Sequence, residues 1–290
     1  MQTPAPVDYE RASSVDHALE LLERLGPESR LIAGGHSLLP MMRLRLARPE
    51  CVIDINGLSD LDYIKVEGDE LLLGAMTRHA ALLASSVVGE HYAIFHDAER
   101  VIADPIVRNR GTVGGSFCQA DPAEDLAAVG SALKATMVIR SSQGRRTVPA
   151  VEFHDGPFET VLGPAEILTE IRVPIRPGAG SAYEKVERRS GDWAAAAAGT
   201  YVVLDGSAVA EVGIGLAAVG AEHFCAPEAE AFLVGKAPTE DNLTEAGRLA
   251  AEASNPQPDQ RGPADYKRHL AAELTRRALR RSVERAEGRS

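Results

Sequence analysis

The sequence predicts an α+β chain: two small α/β subdomains up to about Val173, then a three-stranded antiparallel sheet and a helical bundle. Three observations carry this expectation. Two glycine-rich turns, Ala33-Gly34-Gly35-His36-Ser37 and Thr112-Val113-Gly114-Gly115-Ser116, punctuate the first half. The segment Pro174-Ile175-Arg176-Pro177-Gly178-Ala179-Gly180 extends neither helix nor strand, and it divides the chain into 1–177 and 178–290. Beyond it, three strand-like apolar runs precede three helix-like ones.

The elements follow in order. Ser13 or Ser14 caps a helix to Leu25 with an apolar stripe of Val15, Ala18, Leu19, Leu22 and Leu25, and Gly26-Pro27 stops it. Strand Leu31–Ala33, the first glycine turn, a helix over Leu38–Leu46 and strand Cys51–Ile55 make a β-α-β unit. Tyr63–Val66 and Leu71–Gly74 flank Glu67-Gly68-Asp69 as a hairpin. Helices are expected over Thr77–Ser85 and Tyr92–Ala103, and Asp104-Pro105 breaks the second. The second glycine turn then reads as an irregular loop, before a helix over Ala123–Ala132. Strands over Ala135–Arg140, Arg146–Pro149 and Ile167–Val173 complete this half. In the second half, strands Tyr183–Arg188, Ala194–Leu204 and Ala208–Val219 turn at Asp205-Gly206, and helices cover Pro227–Leu233, Thr239–Ala253 and Ala264–Glu287.

Composition narrows the function. The 290 residues are 44% hydrophobic, enough for real cores, and the net charge of −11 disfavours nucleic acid. Met1–Glu10 lacks a basic n-region and an apolar core, and no apolar run spans a bilayer, so a cytoplasmic location is expected. Cys51, Cys118 and Cys225 are too few and too scattered to ligate an iron–sulfur cluster, and no metal site is expected in this chain. Gly213-Ile214-Gly215 lies within a strand and lacks the third glycine of a dinucleotide fingerprint. Neither a Gly-x-Ser-x-Gly elbow nor a His-Glu-x-x-His pair occurs, and no catalytic side chain is assigned. The basic residues of the last helix (Lys267, Arg268, Arg276, Arg277, Arg280, Arg281, Arg285) read as a solvated face or as a docking surface.

Paired glycines let a ligand approach the backbone, and a helix start offers unpaired N–H groups to a phosphate. One such turn is ordinary chain geometry; two ending in hydroxyl residues suggest jaws around one diphosphate. Ala33–Pro40 and Arg110–Ser116 resemble the two FAD-diphosphate loops of the flavoprotein subunits of molybdenum hydroxylases, the xanthine dehydrogenase and carbon monoxide dehydrogenase family. Asp121-Pro122-Ala123-Glu124-Asp125-Leu126, Glu166-Ile167-Leu168, Tyr183-Glu184-Lys185-Val186 and the stretch from Asp259 to Leu279 resemble its later landmarks. His36 and Ser116–Asp121 incline the resemblance toward the carbon monoxide dehydrogenase branch.

The resemblance implies a PCMH-type FAD-binding fold with the cofactor in the cleft between its parts. Main-chain N–H groups of Gly34, Gly35, His36, Ser37 and Leu38 would hold the diphosphate, with Ser37 adding a hydroxyl and Ala33 also counted in the cofactor site; His36 adds a ring whose own role stays open. Gly111, Thr112, Val113, Gly114, Gly115 and Ser116 would close the other side. Ile102, Ala103 and Leu168 match apolar positions beside the flavin. Asp125 matches an acid near the ribityl or adenosine portion, or is simply a helix N-terminal acid. Lys185 matches a cation near flavin N1, where at about 4 Å and an effective dielectric near 20 the attraction is roughly 4 kcal/mol before desolvation. Trp193 would shield a ring face, gate the acceptor or pack in the core. The family further implies [2Fe–2S] clusters on a small partner, a molybdenum cofactor on a large one, a dimer of heterotrimers and a quinone or other acceptor, with the inner membrane face reachable through partners. Carbon monoxide, purine, N-heterocycle and aldehyde substrates stay open, since another polypeptide sets them. A stand-alone FAD reductase and a scaffold without flavin are the rival readings.

Overall fold

The structure is a computed structural model that describes residues 3–289. Its first unit is β1 (Asp8–Arg11), α1 (Val15–Leu25), β2 (Ser29–Ile32), α2 (Leu38–Arg43) and β3 (Cys51–Asp54), a parallel sheet in the order β1-β3-β2. Ser14 Oγ caps α1 by accepting from the His17 N–H at 3.0 Å. The helix buries Val15, Ala18, Leu19, Leu21 and Leu22 against Ile53 and Ile55, and Gly26 ends it with φ +71°. β1 escapes sequence analysis because Asp-Tyr-Glu-Arg is polar and mostly exposed at a sheet edge. α2 stops at Arg43, short of Leu46, because the chain folds back so that the Leu46 N–H reaches the Met41 carbonyl at 2.9 Å.

The second unit carries the main core. It runs β4 (Ile64–Glu67), β5 (Glu70–Gly74), α3 (His79–Ala84), α4 (Ser86–His91), α5 (Ala93–Val101), α6 (Pro105–Arg108), α7 (Val113–Gln119), α8 (Asp125–Ala132), β6 (Thr136–Ser141), β7 (Gly144–Pro149), α9 (Ala150–Phe153), β8 (His154–Gly156), β9 (Glu159–Thr160) and β10 (Ile167–Pro174). Five of these strands form an antiparallel sheet, β4-β5-β10-β6-β7. Two expectations change here. Asp104-Pro105 starts α6, with Asp104 Oδ1 capping the Val107 N–H at 2.9 Å and proline at the first turn, where its missing N–H costs nothing. The second glycine turn is a helix start, not an irregular loop, because Thr112 Oγ1 caps it at the Gly115 N–H.

The third unit is β11 (Gly180–Glu187), β12 (Ala194–Asp205) and β13 (Ala208–Ala217), an antiparallel sheet, followed by α10 (Pro227–Leu233), α11 (Glu240–Glu252) and α12 (Ala264–Ala286). α8 is buried all round because β12 and β13 cover the face that the second unit leaves open. Gly213 and Gly215 lie in β13 under α8, where a Cβ would meet the Ala132 and Ala128 carbonyls. The chain between β10 and β11 is pinned: Arg176 donates to the Leu133 carbonyl at 3.1 Å and to Glu211 at 2.9 Å, and lies over the Tyr201 ring.

Six of the seven basic residues singled out on α12, all but Arg268, are occupied within the chain. Arg276 and Arg280 pair with Glu240, Arg277 with Glu273, Lys267 with Asp259, and Arg281 and Arg285 with Asp97 of α5. Among the described residues, no helix is long and apolar enough to cross a membrane. Asp97 is buried and accepts from two part-exposed arginines, so Asp97→Ala takes the carboxylate from Arg285 while Arg281 keeps Glu184, and lowers the unfolding free energy by about 2 kcal/mol, measured by urea denaturation.

Candidate functional site

The first glycine turn leaves β2 and enters α2. Gly35 has φ +77°, a conformation that suits glycine. The Leu39 N–H returns to the Gly35 carbonyl at 3.0 Å, whereas the N–H groups of Gly34, Gly35, His36, Ser37 and Leu38 meet no acceptor among the described residues. Ser37 makes no side-chain cap, and the His36 ring is exposed. Five unsatisfied donors in succession suit an anion rich in oxygen.

The second turn spends its donors differently. Val113 N–H goes to the Thr77 carbonyl at 2.9 Å, Gly114 to Ala75 at 2.8 Å, Gly115 to Thr112 Oγ1 at 3.1 Å, Ser116 to Thr112 at 3.0 Å and Gly111 to Val107 at 2.7 Å. Only the Thr112 N–H of this stretch meets no acceptor among the described residues. The expectation that Gly114 and Gly115 bring a ligand close is therefore revised: a Cβ on Gly114 would lie 2.7 Å from the Ala75 carbonyl, so glycine here lets α7 dock on the end of β5.

The two turns nevertheless touch. A Cβ on Gly34 would collide with the Arg110 carbonyl and lie 2.8 Å from Gly111 Cα, so backbone packs on backbone. Sequence analysis missed the residues that hold this contact. Asn56 donates from Nδ2 to the Ala33 carbonyl at 2.6 Å and accepts from Arg78 Nη2 at 3.0 Å, while Arg78 Nη1 donates to the Arg110 carbonyl. A polar residue after β3 and an arginine before α3 carry no motif that would have singled them out.

Behind the second turn lies a buried polar chain. Ser116 Oγ bonds His79 Nε2 at 3.0 Å, and His79 Nδ1 bonds Glu99 at 2.8 Å. Burial opposes charge on His79, but the Glu99 carboxylate outweighs it and lifts the imidazole above its ordinary range. Glu124, which also reaches Ser116, is pushed up to about 7 by burial and by the neighbouring Asp125.

Ile102, Ala103, Asp125, Lys185 and Trp193 form a second group. α5 ends at Val101, Ala103 has φ +47°, and Arg108 Nη1 holds the Ile102 and Ala103 carbonyls at 2.7 and 3.1 Å. The Gly191 turn packs on the Ala103 carbonyl and presents Trp193, which is 41% exposed and so is not a core residue. Lys185, on β11, has a side chain only 2% exposed; Nζ donates to Asp125 Oδ2 at 2.9 Å and to the Val101 carbonyl at 3.0 Å. Asp125 also accepts from the Tyr183 hydroxyl at 2.7 Å. The cation and the acid expected at separate parts of a cofactor are thus one buried ion pair, joining β11 to α8. Glu187 Oε2 is buried beside Lys185 without a hydrogen-bond partner. Leu168 is buried in the main core on β10, next to Thr169, whose carbonyl takes the Ala75 N–H at 3.0 Å.

Residues 5–176 match the family model described as the FAD binding domain in molybdopterin dehydrogenase, and residues 181–282 match the carbon monoxide dehydrogenase flavoprotein C-terminal domain. This chain belongs to that flavoprotein family. The carbon monoxide dehydrogenase medium chain of Hydrogenophaga pseudoflava is 40% identical to this flavoprotein over 95% of this chain and 96% of that one. The glyceraldehyde dehydrogenase medium chain of Sulfolobus acidocaldarius is 36% identical over 96% and 98% of the two chains. A solved structure of carbon monoxide dehydrogenase from Hydrogenophaga pseudoflava superposes with TM-score 0.95 at 41% identity, over 98% of this chain and 99% of its counterpart.

The polar chain behind the second turn gives a pH signature. Glu124 titrates near 7 when folded and near 4.5 when unfolded, so the folded form keeps a proton that the unfolded form releases. That contribution is complete below the lower value and is lost as pH rises through the higher one, on the order of 3 kcal/mol. Glu124→Gln removes this loss, so its stability relative to the parent rises from about pH 5 to about pH 7 in thermal melts at stepped pH.

Proposed function

We propose that this flavoprotein is the FAD-carrying electron-transfer subunit of a molybdenum hydroxylase of the carbon monoxide dehydrogenase type. Electrons arrive from [2Fe–2S] clusters on a small partner, after substrate oxidation at a molybdenum centre on a large one, and leave to a quinone or another acceptor. When bound, FAD supplies a carrier that joins one-electron clusters to a two-electron acceptor. The assembly is a dimer of heterotrimers, and the chain divides into an FAD-binding domain over 1–177 and a C-terminal domain over 178–290. The observation that carries the reading is the run of five acceptor-free N–H groups at a glycine turn packed on a second one.

The residues take these roles. Gly34 to Leu38 hold the diphosphate through main-chain N–H groups, Ala33 leads the chain into that turn with its carbonyl held by Asn56, and Gly111 to Ser116 wall the other side, with the Thr112 N–H available to it. Ile102, Ala103 and Trp193 flank the isoalloxazine, and the Gly191 turn, at φ +78° and packed on the Ala103 carbonyl, sets where the indole stands. The Lys185–Asp125 pair stands behind the site, enclosed between β11 and α8, and Leu168 supports the site from the core. Because Lys185 is already neutralised by Asp125, its field at the flavin is that of an oriented dipole, weaker than the field of a bare cation. No side chain here needs to act on substrate. The glyceraldehyde dehydrogenase medium chain among the relatives supports leaving substrate choice to another polypeptide.

The test is made on the complex purified with its partners and assayed for carbon monoxide-dependent dye reduction. Gly34→Val forces the two turns apart, so its flavin content is expected to fall below about a tenth of the parent while iron and molybdenum stay bound. Stoichiometric flavin in that variant would count against the diphosphate assignment.

A further inference from the structure

Two arginines stand beside the touching turns, and neither has a carboxylate within ion-pair distance among the described residues. Arg78 is half-buried, and its guanidinium makes a fork: Nη1 to the Arg110 carbonyl, Nη2 to Asn56 Oδ1 at 3.0 Å. Arg110 is exposed and brings its own Nη2 to the same Asn56 oxygen at 3.4 Å. Asp54 and Asp62 act on Arg78 from longer range. Asp54 is engaged elsewhere, accepting from Tyr9 Oη at 2.7 Å and from the Asn56 N–H at 2.8 Å.

Two features of this arrangement point to a ligand. Two like charges converge on one neutral oxygen, and burial and Arg110 together push the Arg78 pKa down. An anion placed between them would relieve that repulsion. The same side chains also tie the turns together: Asn56 grips the Ala33 carbonyl at 2.6 Å, and Arg78 grips both Asn56 and the Arg110 carbonyl that abuts Gly34.

We propose that Asn56, Arg78 and Arg110 form a cationic bracket for the diphosphate of the bound dinucleotide. Arg78 sets the gap between the two turns and Arg110 supplies charge at its mouth. The bracket rests on the flavin reading above. Two guanidiniums match the two negative charges of a dinucleotide diphosphate, and a planar fork holds two fixed acceptors as an ammonium cannot.

The test uses the intact complex, stripped of flavin and titrated with FAD by flavin fluorescence at several salt concentrations, with ADP as a competitor that carries a diphosphate without the ring. Arg110→Gln, at an exposed position, is expected to weaken FAD about tenfold at low salt, with the deficit shrinking as salt screens the parent. Arg78→Lys keeps the charge and loses the fork, and is expected to weaken FAD about tenfold or more at every salt concentration. ADP competition should weaken in parallel in both variants. FAD and ADP binding within about twofold of the parent in both, while Gly34→Val loses flavin, would overturn the bracket and leave the flavin reading standing. Full flavin retention by Gly34→Val would overturn both.

Discussion

One steric constraint organises the site: at position 34 there is no room for a Cβ. The Arg110 carbonyl and Gly111 Cα occupy that space, so the first parallel unit and the second, antiparallel unit meet backbone to backbone. Everything near the contact serves to keep it. Asn56 anchors one side and Arg78 the other; Thr112 caps α7 so that Gly114 can dock on Ala75; His79 bonds Ser116 from beneath. The donors of the second turn are used to build this support. Those of the first are left over, and under the proposed reading that asymmetry assigns gripping to the first turn and walling to the second.

A second constraint comes from burial of charge. Lys185, Asp125, Glu99, His79, Glu124 and Asp97 all lie in or beside the seam where β11 meets α5 and α8. Charge in a seam is costly unless paired: Lys185 meets Asp125 and Asp97 meets Arg281 and Arg285 across it, while His79 and Glu99 pair within the second unit. The pairs across it hold the C-terminal sheet on the FAD-binding part, where the Gly191 turn packs on the Ala103 carbonyl. Glu187 Oε2 lies 3.7 Å from Lys185 Nζ without a hydrogen bond.

Much of this was legible from residues alone. The amphipathic stripe of α1, the Asp205-Gly206 hairpin and the long terminal helix each follow from a local pattern with one physical outcome. The glycine turns stood out as a pair, each ending in a hydroxyl residue, since a single one is ordinary chain geometry. What stayed hidden was set by distant contacts. That Gly114 serves packing on Ala75 depends on a strand forty residues earlier, and no spacing announces it. Lys185 looks like a free cation until β11 is laid against α8, where Asp125 waits. β1 is polar at a sheet edge, and Asn56 and Arg78 are ordinary surface types until the turns they join are seen side by side.

A structure of the flavin-loaded complex, by crystallography or electron cryo-microscopy, is the most direct measurement. The account predicts diphosphate oxygens at about 3 Å from the main-chain nitrogens between Gly34 and Leu38, with the Arg110–Gly111 backbone against the opposite face. A pyrophosphate seated away from those nitrogens, or the two turns separated around it, would contradict the account.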